Sequence, residues 1–486
     1  MTSARRLIKR LAALLTGASV AFSGVCAYAA NPWELEAGQA TTSPVGFVTV
    51  TFATSFASAP VVVVMPTDAN DDPAVLRLRN ITAAGFEVAL VEPTGEDGAV
   101  VPMTFDYVAV TPGVHQFPTG DTIAALQHST TTLQHGAGVG GAEGYDTVPF
   151  GPTFPSTASV VASLQTTNNE TNAPPGDVSV PWLTVAMRNV SPTSVQIALE
   201  RSEVATGVVT VNETIGIIAI ASGISGTFID DADQSISWSA VSTPDNIRGW
   251  GNGTPCFVNT YSGVAFASPR LVASKNRHDG GDGGWLRRCS LTGTSVGFVV
   301  DEDRFREPER NHTTEAAGVL AFSNSFHAVF EGLLAAAKTV TIEEDPVNGA
   351  IGAYAIPGAR ARYRVEVESE GRLPIDTDSV SFVDILPADV KLVVNDIGGG
   401  TSGPVRFTDG TTTSALTYSF VSLASATDDI DFSNNGGATF TYTPAPDTDG
   451  ADGAVTHFRI RPKGDFAGDG AGANPSFVLE YDVIIE

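Results

Sequence analysis

The sequence predicts an all-β protein: three tandem related antiparallel β-sandwich domains plus a C-terminal immunoglobulin-like β-sandwich. A recurring pattern is the first reason. Trp285–Phe298 (WLRRCSLTGTSVGF) lies under Trp182–Ile197 (WLTVAMRNVSPTSVQI) so that Val190 meets Leu291 and Thr193-Ser194-Val195 meets Thr294-Ser295-Val296. Val75–Val88 carries the pattern again, with Ile81 at the Val190 position and Phe86 opposite Val195 and Val296. Similarity at so long a period marks duplicated domains rather than solenoid turns. Composition is the second reason. Charged residues are 17% and aromatics 8%, while Val, Thr, Ser, Gly and Asp are abundant, which suits short strands joined by turns. Third, no run of helical period lasts more than a few turns. The nearest, VFEGLLAAAK (Val329–Lys338), reads as a short helix or a linker.

The 486 residues exceed one ordinary core and call for about three or four domains. The net charge of -27 repels nucleic acid and anionic lipid. Residues 1-30 read as a secretory signal peptide: Arg5, Arg6, Lys9 and Arg10, then an apolar run Leu11–Val25, then Ala27-Tyr28-Ala29 as a small-x-small cleavage site. The apolar run is too short to span a bilayer. Export follows, and the mature chain is four charges more negative. No later segment reads as transmembrane, so the expected location is extracellular or at the cell surface.

The first repeat covers residues 31-114. Phe47–Phe52 alternates, Ala59-Pro60 is a stop, and Val61–Val64 is a β-branched run that reads as a buried strand. After a polar loop come Val75–Asn80, Phe86–Leu90 and the closing Phe105–Val110. The second repeat covers 120-228. Phe150 and Phe154 keep the spacing of Phe52 and Phe56, and Ser159–Leu164 replaces the valine run. The third covers 235-327. Its last strand, Ala317–Phe322, matches Ile215–Ile220, and Glu315 and Glu213 stand at equivalent positions just ahead. The fourth unit, 339-486, alternates at Arg362–Val367 and has further strands at Val380–Ile385, Phe440–Tyr442, His457–Ile460 and Phe477–Ile485, with Asp and Gly crowding its turns. Cleavage of the leader removes Cys26. Cys256 and Cys289 remain, and in an exported chain they favour one disulfide over two buried thiols.

Two resemblances follow from these residues. Phe56, Ala59-Pro60-Val61-Val62-Val63, Asn80-Ile81-Thr82, Gly85-Phe86-Glu87-Val88 and Tyr107-Val108-Ala109 make the first repeat resemble an H-type lectin domain. That resemblance implies a six-stranded antiparallel sandwich of a kind that assembles as trimers or hexamers and binds sugars such as N-acetylgalactosamine. Its motif is packing and turn residues, and no sugar contact is carried over. Residues 345-486 resemble a repeat domain of unknown function found in many bacterial surface proteins, through Asp345–Gly349, Ile356–Ala359, Tyr363 and Asp384–Ala388. This implies a spacer module outside the cell.

The loops after the buried strands are the candidate sites. They hold Asp68, Asn70, Asp71 and Asp72 in the first repeat, Asn168, Asn169 and Glu170 in the second, and His278, Asp279 and Asp282 in the third. Loops that vary on a repeated scaffold are where binding usually sits. Asp71, Asp72, Asp279 and Asp282 could supply oxygen ligands to calcium; solvated turns are the alternative. Trp182 and Trp285 follow these loops and read as core rather than sugar-stacking residues. Trp250, among glycines, is the candidate exposed aromatic. His128, His135 and the His312/Glu315 pair read as solvated loop residues. No nucleophile elbow, zinc-protease helix or phosphate loop appears. The expectation is a non-enzymatic binding protein, engaged in carbohydrate recognition or adhesion, with glycans or surface proteins as partners and homo-oligomers in prospect. A structural subunit of an extracellular assembly is the first alternative, and a secreted hydrolase with a site assembled from distant residues is the second.

Overall fold

The computed structural model describes residues 25-26, 32-67, 73-93, 96, 101-135, 143-170, 182-201, 208-252, 256-280, 283-305, 308-398, 400, 402-469 and 474-486. Among these there are strands and no helix. The fold is all-β, with antiparallel sheets in sandwich-like domains. Two compact units divide the chain, one formed by Pro32–Phe330 and one containing Glu331–Glu486. Most of the predicted leader lies outside the described residues. Its strand β1 (Val25–Cys26) pairs with Ser381-Phe382.

The first unit contains the three repeats. The first has β2 (Trp33–Thr41), β3 (Val48–Thr51), β4 (Val61–Met65), β5 (Val75–Thr82), β6 (Gly85–Val91) and β7 (Thr104–Val110). The second adds a short strand ahead of the same six: β8 (Gly113–Gln116), then β9 (Thr122–Thr130), β10 (Asp146–Pro149), β11 (Ala158–Leu164), β12 (Thr184–Arg188), β13 (Ser194–Glu200) and β14 (Glu213–Ala221). The third does likewise: β15 (Ile224–Ile229), β16 (Ser235–Ser242), β17 (Phe257–Thr260), β18 (Arg270–Lys275), β19 (Trp285–Leu291), β20 (Ser295–Asp301) and β21 (Ala317–Phe322), with β22 (Phe326–Phe330) left over. Each repeat has a three-stranded sheet, such as β3-β6-β5, and a four-stranded sheet, such as β11-β14-β9-β8. Phe52 and Phe56 sit 4.9 Å apart in the first core, and Phe150 and Phe154 sit 5.6 Å apart in the second.

β8 and β15 each pair with the first long strand of their own repeat. Among the described residues the first repeat has no such strand. Its place is taken by β22, which pairs with β2 so that Trp33 opposes Phe330 and Ala37 opposes Phe326. The body thereby closes on itself, and no open edge remains on β2. Three equivalent phenylalanines, Phe117, Phe228 and Phe330, then meet at 5.1 to 5.9 Å. Trp33 stacks on Phe330 at 4.1 Å.

The buried strands β4, β11 and β18 are edge strands of their sheets, and their free backbone groups face a neighbouring repeat. Side chains satisfy them. Gln165 accepts from the Val62 N–H at 3.0 Å and donates to its carbonyl at 2.7 Å. Asn276, the equivalent residue, does the same for Val160 at 3.1 and 2.6 Å. Gly216 and Gly318 lie beside these amides. A Cβ at Gly216 would come within 2.6 Å of the Gln165 side chain, and one at Gly318 would overlap Asn276. In the first repeat this glycine position is Asp106, opposite Met65 as Gly216 is opposite Ser163. Asp106 itself accepts from the Leu271 N–H at 3.2 Å, and Arg288 neutralises it. The contacts run from second repeat to first, third to second, and first to third, which is a closed cyclic set.

The second unit has β23 (Leu334–Glu344), β24 (Arg360–Ser369), β25 (Ser381–Ile385), β26 (Val390–Val393), β27 (Val405–Asp409), β28 (Ile430–Ser433), β29 (Ala451–Asp452), β30 (His457–Ile460) and β31 (Ser476–Ile485). The larger sheet runs β23-β24-β31-β26-β29, with β27 also on β31; the smaller runs β1-β25-β30-β28. Along β24 buried and half-buried positions alternate without a break, as a one-face-buried strand requires. Two expectations are corrected. The stretch 329-338 holds no helix: it ends β22, links the two units through residues 331-333 and begins β23, because pairing with β24 from Leu334↔Ser369 onward overrides the helical preference of its alanines. Phe440–Tyr442 forms no strand; only Tyr442 bridges to Phe432.

The disulfide is present. Cys256 and Cys289 are joined with Cα atoms 5.9 Å apart. The bond spans β20 at Gly297, where a Cβ would collide with the Cys256 sulfur.

Replacing Asn276 with Leu leaves the buried Val160 N–H and carbonyl without their side-chain partner. It should cost about 2–4 kcal/mol, read from the urea midpoint. A second prediction concerns β22. His327 lies 2.7 Å from Asp231 and 3.4 Å from Glu34. Burial alone would push its pKa down, but these carboxylates outweigh burial and hold it up at about 9. A raised histidine pKa stabilises fully below the unfolded value of ~6.5, and the gain is lost as pH climbs through the folded value. Stability should therefore fall by roughly 3 kcal/mol between about pH 6.5 and 9. Urea titrations across that range should show the fall in the native chain and lack this component in His327→Gln.

Candidate functional site

The loops after β11 and β18 are built on two equivalent buried carboxylates. Glu213, at the start of β14, is fully buried. It accepts from the backbone N–H of Asn168 at 3.1 Å and of Asn169 at 2.7 Å, from the Asn169 amide at 2.8 Å, and from the Thr166 hydroxyl at 2.5 Å. Asn169 Oδ1 in turn accepts from the N–H groups of Thr210 and Val211 at 3.0 and 3.2 Å. Asn168 donates to the Asn212 carbonyl at 2.7 Å. Both asparagines thus hold the loop itself.

In the third repeat Glu315 takes the Glu213 role. It accepts from the N–H of Asp279 at 3.0 Å and of Gly280 at 3.3 Å, and pairs with His312 Nε2 at 2.9 Å. His312 Nδ1 faces Glu302, and Lys275 approaches Glu315 at 4.0 Å. The expectation of solvated loop positions for His312 and Glu315 is corrected: they are 5% and 0% exposed. Burial opposes the imidazolium, yet Glu302 and Glu315 prevail and raise the His312 pKa. Burial likewise disfavours the Glu315 carboxylate, but Lys275 and His312 together lower its pKa. The equivalence of Glu213 and Glu315 was the sequence signal for these anchors.

Other predicted residues fall as follows. Asp68, Asn70, Asp71, Asp72 and Asp282 lie outside the described residues. Asp279 pairs with Arg277 at 2.5 Å; of the four carboxylates proposed for calcium it alone is described. Trp250 is half-buried under the Arg310 guanidinium, 4.6 Å from its ring centroid, and so is not an open stacking platform. Trp182 and Trp285 are core, 4.8 Å apart edge to face and packed with Ala89 and Val91 of the first repeat. His128, expected in a solvated loop, lies in β9 and pairs with Asp146 at 2.9 Å.

A cleft of ≈ 550 Å³ opens between the second and third repeats, within the range of small-ligand sites. Arg188 and Asn189 line it from the end of β12, and Arg277, His278 and Asp279 from the loop after β18. The His278 side chain is only 1% exposed, and neither ring nitrogen has a hydrogen-bond partner. Glu200 Oε1, 3.8 Å away, and the Tyr145 hydroxyl are likewise buried without hydrogen-bond partners. Desolvation pushes the His278 pKa down, keeping the ring neutral. His135, half-buried rather than solvated, joins it: ligand atoms of His135, Glu143 and His278 lie within 4.8 Å of one another. Arg188 pairs with Glu143 and stacks 3.9 Å over Tyr145. Two imidazoles and one carboxylate form a donor set for a zinc-class ion, not for calcium, which takes oxygen ligands. Sequence reading missed this group because its members come from two repeats.

Replacing Glu213 with Ala removes the acceptor of four donors and should cost about 2–4 kcal/mol. Limited proteolysis should then cut at residues 166-170 while the disulfide and the other repeats persist. No model of a known protein family matches the chain, and none of the curated proteins compared with it does so.

Proposed function

We propose that this chain is an exported, non-enzymatic binding protein that takes a polar ligand of the carbohydrate class in the cleft between its second and third repeats. The observation that carries the reading is the cleft itself, where Arg188, Asn189, Arg277 and Asp279 converge in ≈ 550 Å³. Guanidinium, amide and carboxylate groups are suited to sugar hydroxyls, and a preformed site between packed domains costs little ordering on binding. The cyclic arrangement of three sandwiches supports the same reading, since the H-type lectin resemblance implies trimers or hexamers of such sandwiches. The disulfide between Cys256 and Cys289 is compatible with an oxidising compartment.

A structural role in an extracellular assembly is the second reading. It is favoured by Asn168 and Asn169, whose side chains are consumed in tying their loop to the segment 210-213.

A glycan array probed with the mature protein, in chelator, in calcium and in zinc, tests both. Binding is expected, and Arg188→Ala with Asp279→Ala should weaken it at least about tenfold, the effect of losing one or two charged hydrogen bonds. Binding that survives both changes would remove the cleft as the site. No binding in any condition would favour the structural role.

A further inference from the structure

The second unit holds a buried ion pair that bridges its two sheets. Lys338 lies on β23, at the edge of the larger sheet, and Asp384 on β25 of the smaller sheet. Their side chains are 4% and 0% exposed. Lys338 Nζ sits 2.8 Å from one carboxylate oxygen of Asp384 and 2.9 Å from the other. The Tyr481 hydroxyl donates to Oδ2 at 2.5 Å. Tyr363 and Tyr481 stack at 5.2 Å, with Nζ 4.5 and 5.6 Å from their ring centroids, and Phe458 packs against Tyr481 at 4.8 Å.

A pair of full charges in such a place is costly, because each ion gives up its hydration. Transfer of a proton from the ammonium to the carboxylate removes both charges. Burial disfavours the Lys338 ammonium and lowers its pKa despite the pull of Asp384. The transfer leaves a neutral amine beside a carboxylic acid at the separation of a near-attack pair.

We propose that Lys338 and Asp384 are a modification site, joined by an intramolecular amide bond that forms without a cofactor. The Nζ lone pair attacks Cγ once the carboxyl turns about its Cβ–Cγ bond to present its face. A C–N bond forms, and the tetrahedral oxyanion is held by the Tyr481 hydroxyl. The amine proton passes to the departing oxygen, the C–O bond breaks, and water leaves. Ammonium and carboxylate become amide and water, with no oxidant or reductant. In solution water favours the reverse reaction; in this aromatic core the amide is shielded from it. The product staples the edge strand β23 to the opposite sheet, closing a loop with a sequence separation of 46. Strand β23 can then no longer peel away. The inference is independent of the ligand reading above.

Intact-mass spectrometry of the purified full chain under denaturing, reducing conditions tests it. The expected mass is lower by one water than the processed sequence, and a tryptic digest should contain a branched peptide joining Lys338 to Asp384. Lys338→Arg should restore the full mass. Asp384→Asn keeps the shape and should lose ammonia instead of water, which separates this bond from dehydration elsewhere. Tyr481→Phe should slow or reduce the mass loss without shifting its position. A native chain at full sequence mass would overturn the proposal and leave a plain ion pair. So would a water deficit that persists in Lys338→Arg.

Discussion

Strand β2 starts the three-repeat body with one edge bare, and β22 covers it from the far end of the same body. A sheet edge carries a row of unpaired N–H and carbonyl groups, which is both a cost and an invitation to foreign strands. In the other two repeats a short preceding strand meets this need locally. Among the described residues only the first repeat borrows its covering strand, and that borrowing ties the last segment of the body to its first strand. The phenylalanine triangle, the Trp33–Phe330 stack and the His327 ion pairs gather at or near this closure.

Within the closed body, equivalent positions are free to diverge where packing allows. Gln165 and Asn276 bracket a neighbour's backbone, while Asp106 reaches a backbone N–H from the strand where the other repeats have glycine. Two residues are exchanged together because the amide and the missing Cβ occupy the same space. The same divergence makes the inter-repeat surfaces unlike one another. The cleft lined by Arg188 and His278 belongs to the second and third repeats, and Tyr145 and Glu200 lie behind His278. Duplication supplies the scaffold, and the broken symmetry supplies a place where buried polar groups still want partners.

The second unit follows simpler rules. β24 and β31 bury alternate residues, and Tyr363 and Tyr481 stack across them. Against that apolar background the Lys338–Asp384 pair is a local conflict, and such conflicts mark function more often than error. Asp384 was visible in the sequence as part of a strand-ending pattern, but nothing there tied it to Lys338, which lay in a run read as helix or linker.

By itself the sequence determined the fold class, the threefold duplication, the buried strands and the pairing of the two cysteines. These are local or self-referential signals: alternation, turn residues and the likeness of one stretch to another. It also identified Trp182 and Trp285 as core. It did not disclose the closure by β22, the backbone-bracketing amides, or the meeting of His135, Glu143 and His278. It misplaced His312 and Glu315 on the surface for the same reason. Each of these depends on which residues from distant segments share a dry interface. Polar side chains carry no mark of burial until their partners are known, and only the tertiary structure brings those partners together.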